Sequence, residues 1–235
     1  MLSGNGSEGN PRENGSRQIP GGFPVNEVPG WNSLKTTKFY PRGSVLFTEG
    51  QRPRGVFVLC EGRAKVSVGS AEGKTIVLRI AEVGDLLGVN SILMGRPSGA
   101  TVETMERCRI EFVSRDDFLK LLERDRKACL GVAQALSNKL YGVMDHARLL
   151  LLSESAAEKL ARLLLRWSDE HGERTLHGIR INSDLTHEQM AQMICACRET
   201  VTRLFAQLKR SKIISFSDGA IVVLNRHALA MLARR

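Results

Sequence analysis

Arg198, Glu199 and Arg203 stand at helical spacing in the stretch CACRETVTRLFAQLKR, Cys195 to Arg210. A guanidinium donates two parallel hydrogen bonds and fits O6 and N7 of guanine, while a carboxylate accepts from N4 of cytosine. Val201, Leu204, Phe205 and Leu208 form an apolar stripe in the same stretch. Turning that stripe inward, at about 100° per residue, leaves Arg198, Glu199, Thr202 and Arg203 on the opposite side. Arg198, Glu199 and Arg203 are therefore candidate base readers. Thr186, His187, Thr200, Thr202, Lys209, Arg210 and Lys212 are candidate phosphate partners, which set register and affinity without reading sequence. The competing reading is a solvated helix face carrying an i,i+4 pair, Glu199–Arg203.

The neighbouring sequence supplies a frame for such a helix. Thr186-x-x-Gln189 has capping-box spacing and opens a preceding helix with Met190, Met193 and Ile194 as its apolar face. After Lys212, two β-prone runs flank Asp218-Gly219, a hairpin signal. Two short helices, a three-residue turn and a hairpin predict a winged helix-turn-helix, whose second helix enters the major groove. Ala156, Leu160, Leu163, Leu164 and Trp167 make the apolar face of a helix before it.

Upstream, Cys129, Ala133, Leu136, Leu140, Val143, Ala147 and Leu150 alternate in steps of four and three. That a/d seam predicts a long helix pairing with a second copy. From about residue 38 to 113, short β-prone runs alternate with glycine turns, which predicts an antiparallel barrel or sandwich. Gly69-Ser-Ala-Glu-Gly73-Lys74-Thr75 is one residue short of a P-loop and lies between strands, so it reads as a hairpin turn. Residues 1 to about 30 are rich in Gly, Asn, Ser and Pro and read as a disordered leader. Gly4-x-Gly6-x-x-Gly9 in that leader lacks the flanking strand and helix that a dinucleotide site needs.

Composition sets limits. The 235 residues carry a net charge of +9, which favours a polyanionic partner. Five cysteines without an apolar leader segment suggest thiols in a reducing cytoplasm. The longest aliphatic run, Leu149 to Leu152, is far short of the roughly 20 residues that span a bilayer, so no membrane association is expected. The sequence contains no His-Glu-x-x-His, no Gly-x-Ser-x-Gly and no complete P-loop, so no enzyme is expected.

Arg198-Glu-Thr-Val-Thr-Arg203, Phe39-Tyr-Pro-Arg-Gly-Ser44, Glu49-Gly50, Glu61-Gly62 and Gly84-Asp-Leu-Leu-Gly88 together resemble the bacterial regulators that include the cyclic-AMP receptor protein and the fumarate-nitrate regulator. The resemblance spans about residues 34 to 226. It implies a homodimeric transcription regulator that reads a TGTGA–TCACA-like palindrome and acts with RNA polymerase. It also implies an effector pocket at Gly88, Val89, Arg96, Ser98, Gly99, Met144 and Asp145. The family's ribose-binding Glu is replaced there by Val89, and its phosphate-binding Arg-Ser by Ser98-Gly99. Asp145 falls where an anion would be repelled. Cyclic-AMP binding of the family type is therefore not expected, and the effector is unknown. The leader lacks the cysteines of the iron–sulfur branch, so neither that cluster nor another metal is expected.

Cys195 matches the family's turn glycine and Cys197 its capping Ser. A thiol at a helix N-terminus beside Arg198 is a candidate redox site; the alternative is that both cysteines fill a turn. The sequence thus predicts an α+β chain with a leader over 1–30, a sensory antiparallel β-roll over 31–124, a dimerisation helix over 125–153 and a winged helix-turn-helix over 154–235. The rival is a ligand-binding module that acts on protein partners.

Overall fold

The computed structural model describes residues 22–70, 73, 75–183, 185–217 and 219–234. The Gly4–Gly9 motif and most of the expected leader lie outside them. Within 22–30, the expected leader is corrected. Phe23 and Val28 are buried beside Trp31, which opens the short helix α1 (Trp31–Leu34). Composition missed these contacts because a few apolar residues are diluted among Gly, Pro and Asn.

The sensory domain is a two-sheet antiparallel roll. One sheet runs β1 (Thr36–Tyr40), β8 (Cys108–Ser114), β3 (Gly55–Glu61), β6 (Leu86–Leu87). The other runs β2 (Val45–Phe47), β7 (Thr101–Thr104), β4 (Ala64–Gly69), β5 (Thr75–Ala81). The P-loop-like stretch joins β4 to β5, which are antiparallel neighbours, as a hairpin connection requires. Alternation along β3 divides two cores: Phe57 and Leu59 face the roll interior, while Val56 and Val58 face the helices. Those helices are α2 (Val89–Met94), α3 (Arg115–Arg124) and the start of α4 (Arg126–Leu151).

A buried carboxylate pins the N-terminal segment to this roll. Glu111 is 3% exposed; it accepts from Trp31 Nε1 at 2.7 Å and from Lys35 Nζ at 2.6 Å. Glu111→Ala would leave a buried indole N–H without a partner and is expected to cost about 2–4 kcal/mol. Glu111→Gln keeps one acceptor and should cost less. Urea denaturation of the two variants checks the order; equal losses would contradict it.

Asp125 caps α4 by accepting from the N–H groups of Lys127 and Ala128. One face of α4 is buried by its own chain at Ala128, Gly131, Val132, His146 and Leu149. Of the expected seam, Cys129, Ala133, Leu140 and Val143 are exposed, and Ala147 is half-buried. Leu136 and Leu150 are partly buried and pack on the chain's own cores. Leu130, Tyr141, Met144 and Leu151 extend the exposed stripe.

The C-terminal domain comprises α5 (Ala156–Glu170), β9 (Glu173–Thr175), β10 (Gly178–Ile181), α6 (His187–Met193), α7 (Arg198–Arg210), β11 (Ile214–Ser217), β12 (Ala220–Val223) and α8 (Arg226–Leu232). Its sheet runs β11-β12-β10-β9, so the expected hairpin is half of a four-stranded sheet. Leu160, Leu163, Leu164, Ile194, Val201 and Leu229 are fully buried in its core. Val77 and Ile80 of β5 join that core and dock the roll onto it.

Candidate nucleic-acid interface

The capping box forms as the sequence predicts. Thr186 Oγ1 accepts from Gln189 N at 3.2 Å, and Gln189 Oε1 accepts from Thr186 N at 2.9 Å. Two otherwise orphaned donors at the start of α6 are thereby satisfied. Four residues, Ile194 to Cys197, then turn the chain into α7, one more than the sequence suggested. Cys195 adopts φ 52° in this turn, a left-handed conformation that a side chain disfavours by about 1–2 kcal/mol relative to glycine.

Val201, Phe205 and Leu208 bury the inner face of α7, and Leu204 is partly buried. Arg198, Glu199, Thr202 and Arg203 are exposed along the other side, together with Ala206, Lys209 and Arg210. Among the described residues no ion pair joins Glu199 to Arg203, so the solvated-pair reading loses its main contact. Arg198 and Glu199 occupy the first turn, where a helix presents its end to a groove.

The two helices are held in register by one polar contact and one stack. His187 Nδ1 lies 2.9 Å from Thr202 Oγ1, and its ring stacks on Phe205 with centroids 4.9 Å apart and planes at 16°. His187 and Thr202 thus meet each other across the two helices. Thr200 is half-buried, with Oγ1 3.0 Å from Cys197 Sγ. Lys209 and Arg210 end α7, and Lys212 is exposed in the turn into β11 at φ 54°.

The comparisons agree with this geometry. Residues 37–125 match the model of the cyclic nucleotide-binding domain, and residues 158–232 match the Crp-like helix-turn-helix domain. The chain belongs to the CRP/FNR family of transcription regulators. It is 23% identical over 195 residues to a CRP-like cAMP-activated global transcriptional regulator of Mycobacterium tuberculosis, covering 83% of this chain and 87% of that one. It is 27% identical over 194 residues to the global nitrogen regulator of Synechococcus elongatus, covering 81% and 86%. In fold it resembles a CooA mutant from Carboxydothermus hydrogenoformans, with a TM-score of 0.77 at 21% identity over 89% of this chain and 93% of that one. In this CRP/FNR chain the α6–α7 unit is accordingly the DNA-binding helix-turn-helix.

The residues expected to form an effector pocket differ in exposure. Gly88 caps α2 at φ 80°, and Val89 is 1% exposed among apolar neighbours. Ser98 is buried, its hydroxyl donating to Ala100 O at 2.7 Å. Arg96 and Gly99 are exposed in the following loop, and Met144 and Asp145 are exposed on α4. A cavity of about 510 Å³ between β5, α4 and α5 includes none of these seven; Arg79, Lys139, Val143, His146 and Glu170 line it instead. Both ring nitrogens of His146 lack a partner among the described residues, and burial with nearby Arg166 pushes its pKa down.

Burial, and secondarily Arg79, pushes Lys139 down to about 8, with Asp85 opposing. Its ammonium donates to Leu86 O at 3.1 Å. Below pH about 8 the folded state carries the full cost of this buried charge. Between about 8 and the unfolded value of 10.5 the unfolded chain binds more protons, so stability rises with pH. The stability of the wild-type chain relative to Lys139→Met should therefore increase by about 1–3 kcal/mol across that window. Denaturation at pH 7.5, 9 and 10.5 measures this, and a pH-independent difference would contradict it.

Groups that could ligate metal do not gather: among the described residues no set of three His, Cys, Asp or Glu forms a cluster. Cys60 is pushed up to about 11, and Cys108 is also raised, chiefly by burial. Cys129, on the exposed side of α4, donates to Leu122 O at 2.9 Å. No helix among the described residues is long and apolar enough to cross a membrane.

Proposed function

We propose that this regulator binds a palindromic DNA site as a homodimer, each copy of α7 reading one TGTGA-like half-site and the bound dimer acting on RNA polymerase. The observation that carries this reading is the unpaired, exposed set Arg198, Glu199 and Arg203 on a helix whose other face is locked by Val201 and Phe205. Thr186, Lys209, Arg210 and Lys212 supply phosphate contacts around it. The exposed apolar stripe of α4 is the dimer seam. Selection from random duplexes should return an inverted repeat with half-sites one helical turn apart. A single unrepeated motif would contradict the dimer, and the absence of enrichment would contradict sequence reading.

Cyclic AMP is not the effector in this reading. Val89 offers no charge to a ribose, and Arg96, which Pro97 follows, is exposed in the loop after α2. An iron–sulfur cluster is likewise excluded from the proposal, since the five cysteines are divided among strands, α4 and the α6–α7 turn. The effector is another small molecule, or DNA binding is constitutive. Cytoplasmic location follows from the role.

Cys197 adds a redox control to this proposal. It occupies the N-cap of α7, is exposed, and makes no capping bond to the backbone. Oxidation there would set a negative group beside the DNA phosphates. Cys197→Ser should bind DNA normally, gain up to about 1 kcal/mol from a hydroxyl cap, and lose peroxide sensitivity. Equal peroxide inhibition of variant and wild type would sink the idea.

A further inference from the structure

We propose that the open end of the β-roll is a second ligand site, built for a small organic carboxylate that carries an aromatic ring. A cavity of about 750 Å³ opens there, within the range of about 300–1,000 Å³ typical of small-molecule sites. It is formed by β1, β2, β3, β8 and the β2–β3 loop, with no residue from α4 or the C-terminal domain. It shares no lining residue with the cavity beside α4.

Its floor is aromatic. Phe57 contacts Phe47 and Phe112, with ring centroids 5.7 and 5.0 Å apart, and Tyr40 stands half-buried in the wall. Such a floor prefers a flat apolar body, which stacks or meets an edge at similar distances. The rim is cationic. Lys38 projects from β1, and Arg52 and Arg54 come from the β2–β3 loop, while no carboxylate lines the cavity.

Several cations elsewhere in the roll are neutralised. There Lys35 pairs with Glu111, Lys65 with Glu103, Arg79 with Asp85 and Arg109 with Glu61. Among the described residues the side chains of Lys38 and Arg54 have no hydrogen bond or ion pair, and Arg52 gives one side-chain N–H to Gly95 O at 2.9 Å. Three cations beside an apolar pit leave charge and apolar area uncompensated at one place. A ligand with an anionic head and a ring satisfies both. The carboxylate accepts charge-assisted bonds at the rim, in forked geometry from an arginine, while the ring displaces water from the floor.

Isothermal titration of the full chain without DNA tests this, using phenylacetate and 1-naphthylacetate against acetate and benzyl alcohol. The two aryl acetates are expected to saturate one site per chain. Acetate, lacking the ring, and benzyl alcohol, lacking the charge, should bind at least about tenfold more weakly. The double variant Lys38→Gln/Arg54→Gln, both exposed positions, should lose about tenfold or more in aryl acetate affinity, while Lys127→Gln should not. No saturable binding of either aryl acetate at millimolar concentration would overturn the proposal. So would equal affinity in the double variant, or acetate binding as tightly as phenylacetate. None of these readings depends on DNA recognition, so failure here and failure there are separable.

Discussion

Arg203→Ala is expected to weaken binding to the specific site by about ten- to a hundredfold per half-site, and to relax discrimination at one base position only. The side chain lies on the exposed side of α7, one turn beyond Arg198, with no competing carboxylate. Its removal takes away two parallel hydrogen bonds to a guanine edge and disturbs no packing, because Val201, Phe205 and Leu208 hold the helix. A dimer suffers the loss twice. Lys209→Gln, by contrast, should weaken all sequences alike and lower the salt slope by about one per chain. Competition with duplexes substituted at each half-site position separates the outcomes. A uniform loss for Arg203→Ala would assign it to phosphate rather than base.

Leu140→Glu should convert the dimer to monomer and reduce DNA affinity at least as strongly. Leu140 is 60% exposed in the single chain and lies in an apolar stripe with Leu130, Val143, Met144 and Leu151. Water would not tolerate that stripe on a 26-residue helix without a partner to cover it. A dimer related by twofold symmetry would bring two introduced carboxylates into one seam, where desolvation and like charge both oppose pairing. Each monomer would then hold one half-site, without the gain from a second linked contact. Sedimentation equilibrium at micromolar concentration should give about 52 kDa for the wild type, twice the 26.0 kDa chain, and about 26 kDa for the variant. An unchanged mass would move the dimer seam elsewhere.

Elements whose patterns are strong locally could be read without coordinates. The capping box at Thr186, the Asp-Gly hairpin after Lys212 and the Val201–Leu208 stripe each satisfy a local chemical need, so spacing alone reveals them. β1, β9 and β10 escaped. β1 is mostly exposed and β9 wholly so, and β10 is only partly buried; each lacks the apolar alternation of a half-buried strand. The anchoring of Trp31 on Glu111 joins residues 80 apart and has no local signature. Least legible were the residues lining the cavity beside α4. Their proximity depends on how α4 crosses the roll, and only tertiary packing sets that. Lys139 and His146 carry the polar interior of that crossing, yet in sequence they look like ordinary surface positions of an amphipathic helix.

The most direct test is fluorescence anisotropy of a labelled TGTGA–TCACA duplex with reduced protein and no added ligand, beside a scrambled duplex and a salt series. DNA reading by Arg198, Glu199 and Arg203 predicts tighter binding to the palindrome, a steep loss of affinity with salt on both duplexes, and a smaller difference between them in Arg203→Ala. Equal affinity of the wild-type chain for the two duplexes would contradict base reading by this helix at that sequence.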